Sequence, residues 1–117
     1  MHGLLLCCVL SRAVMISGSM ADYLSTRHGL QMGLHEANPV ARTLGPGNVI
    51  ALTTGGAEAF IDLSGHQEEF PHMATAERLA IGGLHFFAAA WNLHEIHKAQ
   101  IALSNTAAPR VQRPGKR

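Results

Sequence analysis

The chain has 117 residues, of which 47% are hydrophobic and 15% charged, and its formal net charge is +1 at pH 7. This length suits one domain, and the composition excludes an intrinsically disordered chain. The near-neutral charge, with basic residues dispersed until the C-terminal tail, argues against a nucleic-acid-binding protein. The two cysteines, Cys7 and Cys8, are adjacent and therefore predict no disulfide framework.

Three long segments rich in Ala, Leu and Met predict three helices, and strand patterns are nearly absent. The predicted helices run from about Gly3 to Thr26, from Asn48 to about Ser64, and from near Thr75 to about Leu103. Gly29 is the predicted stop of the first helix, and Asn48 and Thr75 are candidate N-caps of the other two. We therefore expect one domain over residues 1–104 and a flexible basic tail over residues 105–117.

Each predicted helix supplies about 20 residues of low polarity, the length that crosses the hydrocarbon core of a bilayer. The N-terminal segment does not match an export signal, because no basic residue precedes its apolar run and Arg12 interrupts it. The predicted fold is therefore all-α, a small three-helix transmembrane bundle with a basic tail. The polar residues within the spans and a mean hydropathy of only +0.11 leave a water-soluble helical bundle open.

The charges outside the predicted spans are distributed unequally between the two sides. Arg27, Arg42 and the basic tail fall on one side, whereas the loop before the third helix holds Glu68 and Glu69 but no lysine or arginine. The positive-inside rule then places the N-terminus outside and the C-terminus in the cytoplasm. The predicted location is the inner (cytoplasmic) membrane.

An intramembrane charge layer is predicted from depth along the helices. Arg12, Glu58 and His85 lie at similar distances from the predicted cytoplasmic ends of their helices, at about 1.5 Å rise per residue. A buried arginine in hydrocarbon needs a partner, so we expect Arg12 to pair with Glu58. Asp62, one turn from Glu58, is expected to share Arg12 or reach water.

A second polar cluster is predicted nearer the cytoplasmic end, where Asp22, Asn92 and Glu95 fall at about the same depth. The adjoining loop carries Glu36 and Asn38. Because proline disfavours helical geometry in the preceding residue, the chain turns at Asn38, and these two side chains can bond helix-end backbone or neighbours of Asp22. This cluster is interpreted as structural or as a binding site.

His85, Asn92 and Glu95 are spaced by seven and three residues, which predicts one inward-facing stripe along the third helix. Small residues beside this stripe, including Gly82 and Gly83, would let another helix approach closely. Gly55-Gly56 in the second helix is given the same role.

The pattern Asp22…Ser25-Thr26…Gly29…Gly33…Glu36-Ala37-Asn38-Pro39 resembles a family of short, uncharacterised prokaryotic integral membrane proteins. That family has an aspartate late in the first helix, followed by a Glu-Ala-Asn-Pro or Glu-Gly-Asn-Pro loop. The resemblance covers Asp22 to Pro39 and implies a membrane location, with Asp22, Glu36, Asn38 and Pro39 as signature positions. It implies no activity, because the family has none established.

The sequence predicts no metal site and no cofactor. The segment His94-Glu95-Ile96-His97 lacks the HExxH spacing of zinc proteases, and no phosphate-binding or nucleophile motif is present. We therefore expect a non-enzymatic accessory or assembly subunit. Its expected partners are the lipid bilayer and other membrane protein subunits or further copies of itself.

The alternative is an oligomeric membrane protein that handles protons or cations. It would use Glu58, Asp62, His85 and Asp22 as titratable stations.

Overall fold

The computed structural model describes residues 2–107, and this part of the chain is helical without any strand. The helices are α1 (His2–Gln31), α2 (Pro39–Leu44), α3 (Pro46–Leu63), α4 (His66–Glu69) and α5 (Pro71–Ala107). The predicted all-α fold is confirmed at this level. The three long helices α1, α3 and α5 correspond to the three predicted helices. The connection between α1 and α3, residues 32–45, is called the signature loop and contains the additional short helix α2.

The first helix is longer than predicted because Gly29 does not end it. Gly29 is buried inside α1, where a Cβ atom would lie 3.6 Å from the side chain of Ile96. The helix ends instead at Gln31, just before a turn at Gly33, whose φ of 82° is readily adopted only by glycine. Bonds from Leu34 N–H to the Gly29 carbonyl and from Gly33 N–H to the Leu30 carbonyl complete the stop.

The predicted N-caps of the other two long helices were also wrong. Both helices begin at a proline, Pro46 and Pro71, and the fixed φ of proline suits the first helical position. Asn48 therefore lies inside α3, and its side chain donates to the Leu44 carbonyl oxygen at 2.7 Å. Thr75 lies inside α5 and donates to the Pro71 carbonyl oxygen at 2.8 Å.

The long helices run up, down and up. Helices α1 and α5 are parallel, since Gly18 meets Gly82 and, further along, Gly29 meets Ile96. Helix α3 runs the opposite way, because the start of α3 lies beside the second half of α1. Helices α1 and α5 form the largest interface, and α5 continues beyond the end of α1 to Ala107, past the predicted domain boundary at residue 104. The predicted tail over residues 108–117 lies outside the described residues.

A close approach of two glycines sets the crossing of α1 and α5. A Cβ atom on Gly82 would lie 2.8 Å from the Val14 carbonyl oxygen, and one on Gly18 would overlap the Gly82 carbonyl. The packing role predicted for Gly82 is therefore confirmed. Gly83 and Gly55-Gly56 have open space where a Cβ would be, so the packing role predicted for these three is wrong within this chain.

One helix within the described residues, over Leu5–Gln31, is long and apolar enough to cross a bilayer. A core helix of a soluble protein or an N-terminal signal sequence can have the same length and composition. Helices α3 and α5 do not meet this criterion, which leaves the three-span topology unconfirmed.

Candidate functional site

The first of two polar clusters is centred on Arg78, whose side chain is 0% exposed. Its Nε lies 2.8 Å from Glu58 Oε2 and its Nη2 lies 3.0 Å from Glu58 Oε1, so the guanidinium is held by two bonds. Its Nη1 donates to Gln67, which also accepts from the Cys8 thiol at 3.2 Å. Arg78 thus joins α5 to α3 and to α4.

Arg12 completes this arginine cluster, defined as Arg12, Glu58, Asp62 and Arg78. The guanidinium of Arg12 contacts the Glu58 carboxylate and lies 2.9 Å from Asp62 Oδ1. The structure therefore contains the predicted pair of Arg12 with Glu58, and it brings Asp62 to the same arginine. Two cations and two anions balance, and bidentate arginine–carboxylate geometry makes these bonds specific.

Arg78 was missed as a member of the cluster. With Thr75 as the predicted N-cap of the third helix, Arg78 fell in the charged first turn of that helix. Because α5 begins at Pro71, Arg78 instead lies two turns inside the helix and its side chain points into the bundle. Proline as a first helical residue is the sequence signal that would have found it.

The second group, the histidine cluster, contains Asp22, His85, Thr54 and Ser19. His85 Nδ1 lies 2.8 Å from Asp22 Oδ2, and His85 Nε2 lies 3.5 Å from Thr54 Oγ1. Thr54 Oγ1 lies 2.7 Å from Ser19 Oγ, so polar atoms of α1, α3 and α5 form one connected chain. The sequence analysis placed His85 in the layer of Arg12 and Glu58, and this depth assignment was wrong.

Asn92 extends the histidine cluster toward the end of α1. Its amide nitrogen lies 2.8 Å from Thr26 Oγ1, 3.1 Å from Ser25 Oγ and 3.4 Å from Asp22 Oδ1. The structure therefore brings Asp22 and Asn92 together, at the level where the sequence analysis placed them. Glu95 does not share these bonds, and its carboxylate lies 3.0 Å from Lys98 Nζ of the same helix.

The signature loop bonds mainly to its own backbone. Asn38 Oδ1 accepts from the N–H groups of Val40 at 2.9 Å and Ala41 at 3.4 Å, which makes Asn38 the N-cap of α2. Glu36 Oε1 accepts from the Asn38 N–H at 2.9 Å, and Arg42 donates to the Glu36 carbonyl oxygen at 2.9 Å. These bonds give Glu36 and Asn38 helix-end backbone partners.

The loop also closes a cavity next to the histidine cluster. A cavity of about 310 Å³ is lined by Asp22, His85, Asn92, Glu36 and Asn38. A neighbouring cavity of about 330 Å³ shares Asn92 and Glu36 and is lined by Glu95 as well. The five residues of the predicted polar cluster therefore line these two neighbouring cavities, although direct hydrogen bonds link only some of them.

The histidine cluster links a carboxylate, an imidazole and two hydroxyls by hydrogen bonds. The Asp22 carboxylate only accepts, so the His85 Nδ1–H donates to it, and the other ring nitrogen faces the Thr54 hydroxyl. An acid, an imidazole and a hydroxyl also form an acyl-transfer triad. However, Thr54 lies in the middle of α3, where backbone N–H groups are used within the helix and cannot stabilise an oxyanion.

Among the side chains that the structure describes, no group of three His, Cys, Asp or Glu residues is arranged to hold a metal ion.

Comparison with models of known protein families, with curated proteins and with solved structures found no match for this chain. The family resemblance over Asp22 to Pro39 therefore stays a prediction.

Proposed function

We propose that this chain is a small integral membrane protein with three spanning helices, and that it serves as a non-enzymatic accessory or assembly subunit. The observation that carries the proposal is the distribution of side chains, because polar groups lie inside the bundle beside a small apolar core, and many large apolar side chains lie outside it. Asp22, Ser25 and Arg78 are buried, whereas large apolar side chains are exposed on all three long helices. The exposed set includes Leu10, Ile16, Met20 and Leu24 on α1, Leu52 and Phe60 on α3, and Leu84, Phe87 and Trp91 on α5.

This distribution suits lipid better than water. Apolar patches of this extent are rare on soluble monomers and mark contacts with membranes or other proteins. Backbone groups in the helices are satisfied within each helix, as hydrocarbon requires. Helix α3 has 18 residues and α5 has 37, so both are long enough for a span. Several of their polar side chains, including Glu58, Arg78 and His85, lie between the helices in the two clusters.

The topology follows from charge. The end of α1, the signature loop and the end of α5 lie together at one end of the bundle, with Arg27, Arg42 and Lys98, and the other end carries Glu68 and Glu69. The positive-inside rule puts the first end in the cytoplasm and the N-terminus outside, in the inner (cytoplasmic) membrane.

A subunit role is favoured because the arginine cluster is paired within the chain. Its two cations and two anions neutralise one another and join three helices, which is how buried charges specify packing. The apolar perimeter then remains for lipid and for other membrane proteins.

Membrane fractionation tests the proposal first. The full chain is expected to remain in the membrane pellet after alkaline carbonate washing and to require detergent for extraction. Recovery of a detergent-free, monomeric protein in the soluble fraction would overturn it. Purification in mild detergent, with a tag at the C-terminus, is then expected to retain a stoichiometric membrane partner or a second copy.

The alternative function, proton handling, is favoured by one specific observation, the chain of polar atoms through Ser19, Thr54, His85 and Asp22. Reconstituted vesicles with a trapped pH dye distinguish the two functions. A subunit gives no proton flux under an imposed potential. A wild-type flux that disappears in Asp22→Asn, with Ser104→Ala as an exposed control, would favour proton handling.

A further inference from the structure

A continuous groove runs between α1 and α3 on the outside of the bundle. It consists of two adjoining cavities of about 470 Å³ and 380 Å³, which share Ile16, Thr54 and Gly55. The larger part is mainly apolar and is lined by Met20, Tyr23, Ile50 and Ala51, among others. The smaller part contains Arg12, Glu58 and Asp62. This surface is called the α1/α3 groove.

The charged end of the groove is open to the surroundings. The side chains of Arg12 and Asp62 are 42% and 51% exposed, in contrast to the fully buried Arg78. Exposed apolar side chains lie on both sides of this level along α1, at Leu10 and at Ile16. In a bilayer, exposed charges at such a level are costly unless another polar surface covers them.

We infer that a second copy of this chain covers the groove, with a two-fold axis parallel to the long helices; the inference rests on the proposed membrane location. Both copies insert in the same direction, so such an axis keeps every residue at its own depth. Arg12 and Asp62 have opposite charge, lie side by side at one depth and are both exposed. The axis therefore brings Arg12 of one copy to Asp62 of the other, and the reverse, as a self-complementary interface requires.

Each charged group has unused bonding capacity for this contact. The guanidinium of Arg12 has five N–H donors, and the contacts within its own chain involve its Nε and Nη2. Asp62 uses Oδ1 toward Arg12, which leaves Oδ2 for a second arginine. A purely apolar partner helix would leave both groups facing hydrocarbon, so charge complementarity favours a second copy.

Small residues allow the close approach that this interface needs. Gly55 lines both parts of the groove, and a Cβ atom on Gly55 or Gly56 would meet no atom within 4 Å. Small residues on an open helix face let a neighbouring helix approach in a membrane. Gly55 thus acquires a packing role between copies.

Disulfide cross-linking in native membranes tests the interface. Gly55→Cys is made in the full chain with Cys7→Ala and Cys8→Ser, and Gly83→Cys in the same background is the matched control. Both glycines have open space at the Cβ position and lie near the depth of Gly18 and Ser19, but Gly83 is on α5 and does not line the groove. Mild oxidation is expected to yield a covalent dimer with Gly55→Cys and little with Gly83→Cys. Equal yields from both variants, or none from Gly55→Cys, would overturn the inference.

A charge exchange shows whether Arg12 and Asp62 meet across the interface. In the Gly55→Cys background, Arg12→Asp alone and Asp62→Arg alone are each expected to reduce the dimer yield at least about tenfold, the scale of a coupled interfacial charge pair. Co-expression of the two variants should restore a mixed dimer, because each then supplies the charge that the other lacks. Absence of the mixed dimer, while both variants accumulate in the membrane, would overturn the pairing.

Different experimental results would contradict the membrane location and the dimer. A soluble wild-type chain contradicts the membrane location, whereas a membrane-embedded chain without Gly55→Cys cross-linking contradicts only the dimer.

Discussion

Arg78 on α5 and Glu58 on α3 form an ion pair held by two hydrogen bonds, 2.8 Å from Nε to Oε2 and 3.0 Å from Nη2 to Oε1. The arginine side chain has no exposed surface. Helices α3 and α5 share a much smaller interface than α1 and α5, so this pair is a main link between them.

Substitution Glu58→Leu is expected to be the most destabilising change in the arginine cluster. It leaves Arg78 buried without its bidentate partner, and breaking a buried pair costs about 3–5 kcal/mol. The double substitution Glu58→Leu with Arg78→Leu should recover part of this loss, because no lone charge remains. The free energies of unfolding of these variants are measured in detergent micelles, with circular dichroism as the signal. Losses that simply add would show that the pair is not coupled.

The predicted partner of Glu58, Arg12, is expected to matter less for stability. Arg12→Leu leaves Glu58 paired with Arg78, and Arg12 itself is partly exposed. The loss should therefore be smaller than that of Glu58→Leu in the same unfolding measurement. A double-mutant cycle between Arg12 and Glu58 should give a coupling energy different from zero. A larger loss for Arg12→Leu than for Glu58→Leu would contradict this ranking.

The close crossing of α1 and α5 predicts that alanine substitutions at two neighbouring glycines, Gly82 and Gly83, have very different effects on stability. Gly82→Ala would place a methyl group 2.8 Å from the Val14 carbonyl oxygen and force the helices apart, at a cost of about 1–3 kcal/mol. Gly83→Ala meets open space, and the higher helix propensity of alanine should leave stability unchanged or raise it slightly. Thermal unfolding of the two variants in the same detergent compares them, and similar midpoints would argue against the crossing.

The N-cap of α2 predicts a local effect in the signature loop. Asn38→Ala removes the acceptor for the Val40 and Ala41 N–H groups and should cost about 0.5–2 kcal/mol. Hydrogen exchange measured by mass spectrometry should accelerate across Pro39–Leu44 while α1 remains protected. Asn38→Asp retains the acceptor and is the control. Unchanged exchange in Asn38→Ala would show that the cap does not hold this helix.

Cysteine labelling checks the three-span topology. In the background with Cys7→Ala and Cys8→Ser, Glu69→Cys and Ser104→Cys place thiols at exposed positions at opposite ends of the bundle. A membrane-impermeant maleimide should label Glu69→Cys in intact cells and Ser104→Cys only after permeabilisation. The reverse pattern would invert the orientation, and labelling of both in intact cells would contradict three spans.

The local structure of this protein was largely readable from its sequence. Helix-forming composition over three long segments predicted the three helices, because backbone bonding within a helix depends on nearby residues. The turn at Asn38 followed from the proline after it. The pairing of Arg12 with Glu58 was found by counting residues, since a constant rise per residue converts sequence position into depth along antiparallel helices.

Only the tertiary structure decided which residues complete each cluster. Arg78 joined Glu58 because α5 begins at Pro71, which puts Arg78 two turns inside the helix, and because packing rotates α5 so that this side chain faces the bundle. His85 lies opposite Asp22, not opposite Arg12, because the contact between Gly18 and Gly82 fixes the register of α1 against α5. Rotation and register depend on contacts between separate helices, such as Glu58 with Arg78 and Gly18 with Gly82, and periodicity within one helix carries no information about them.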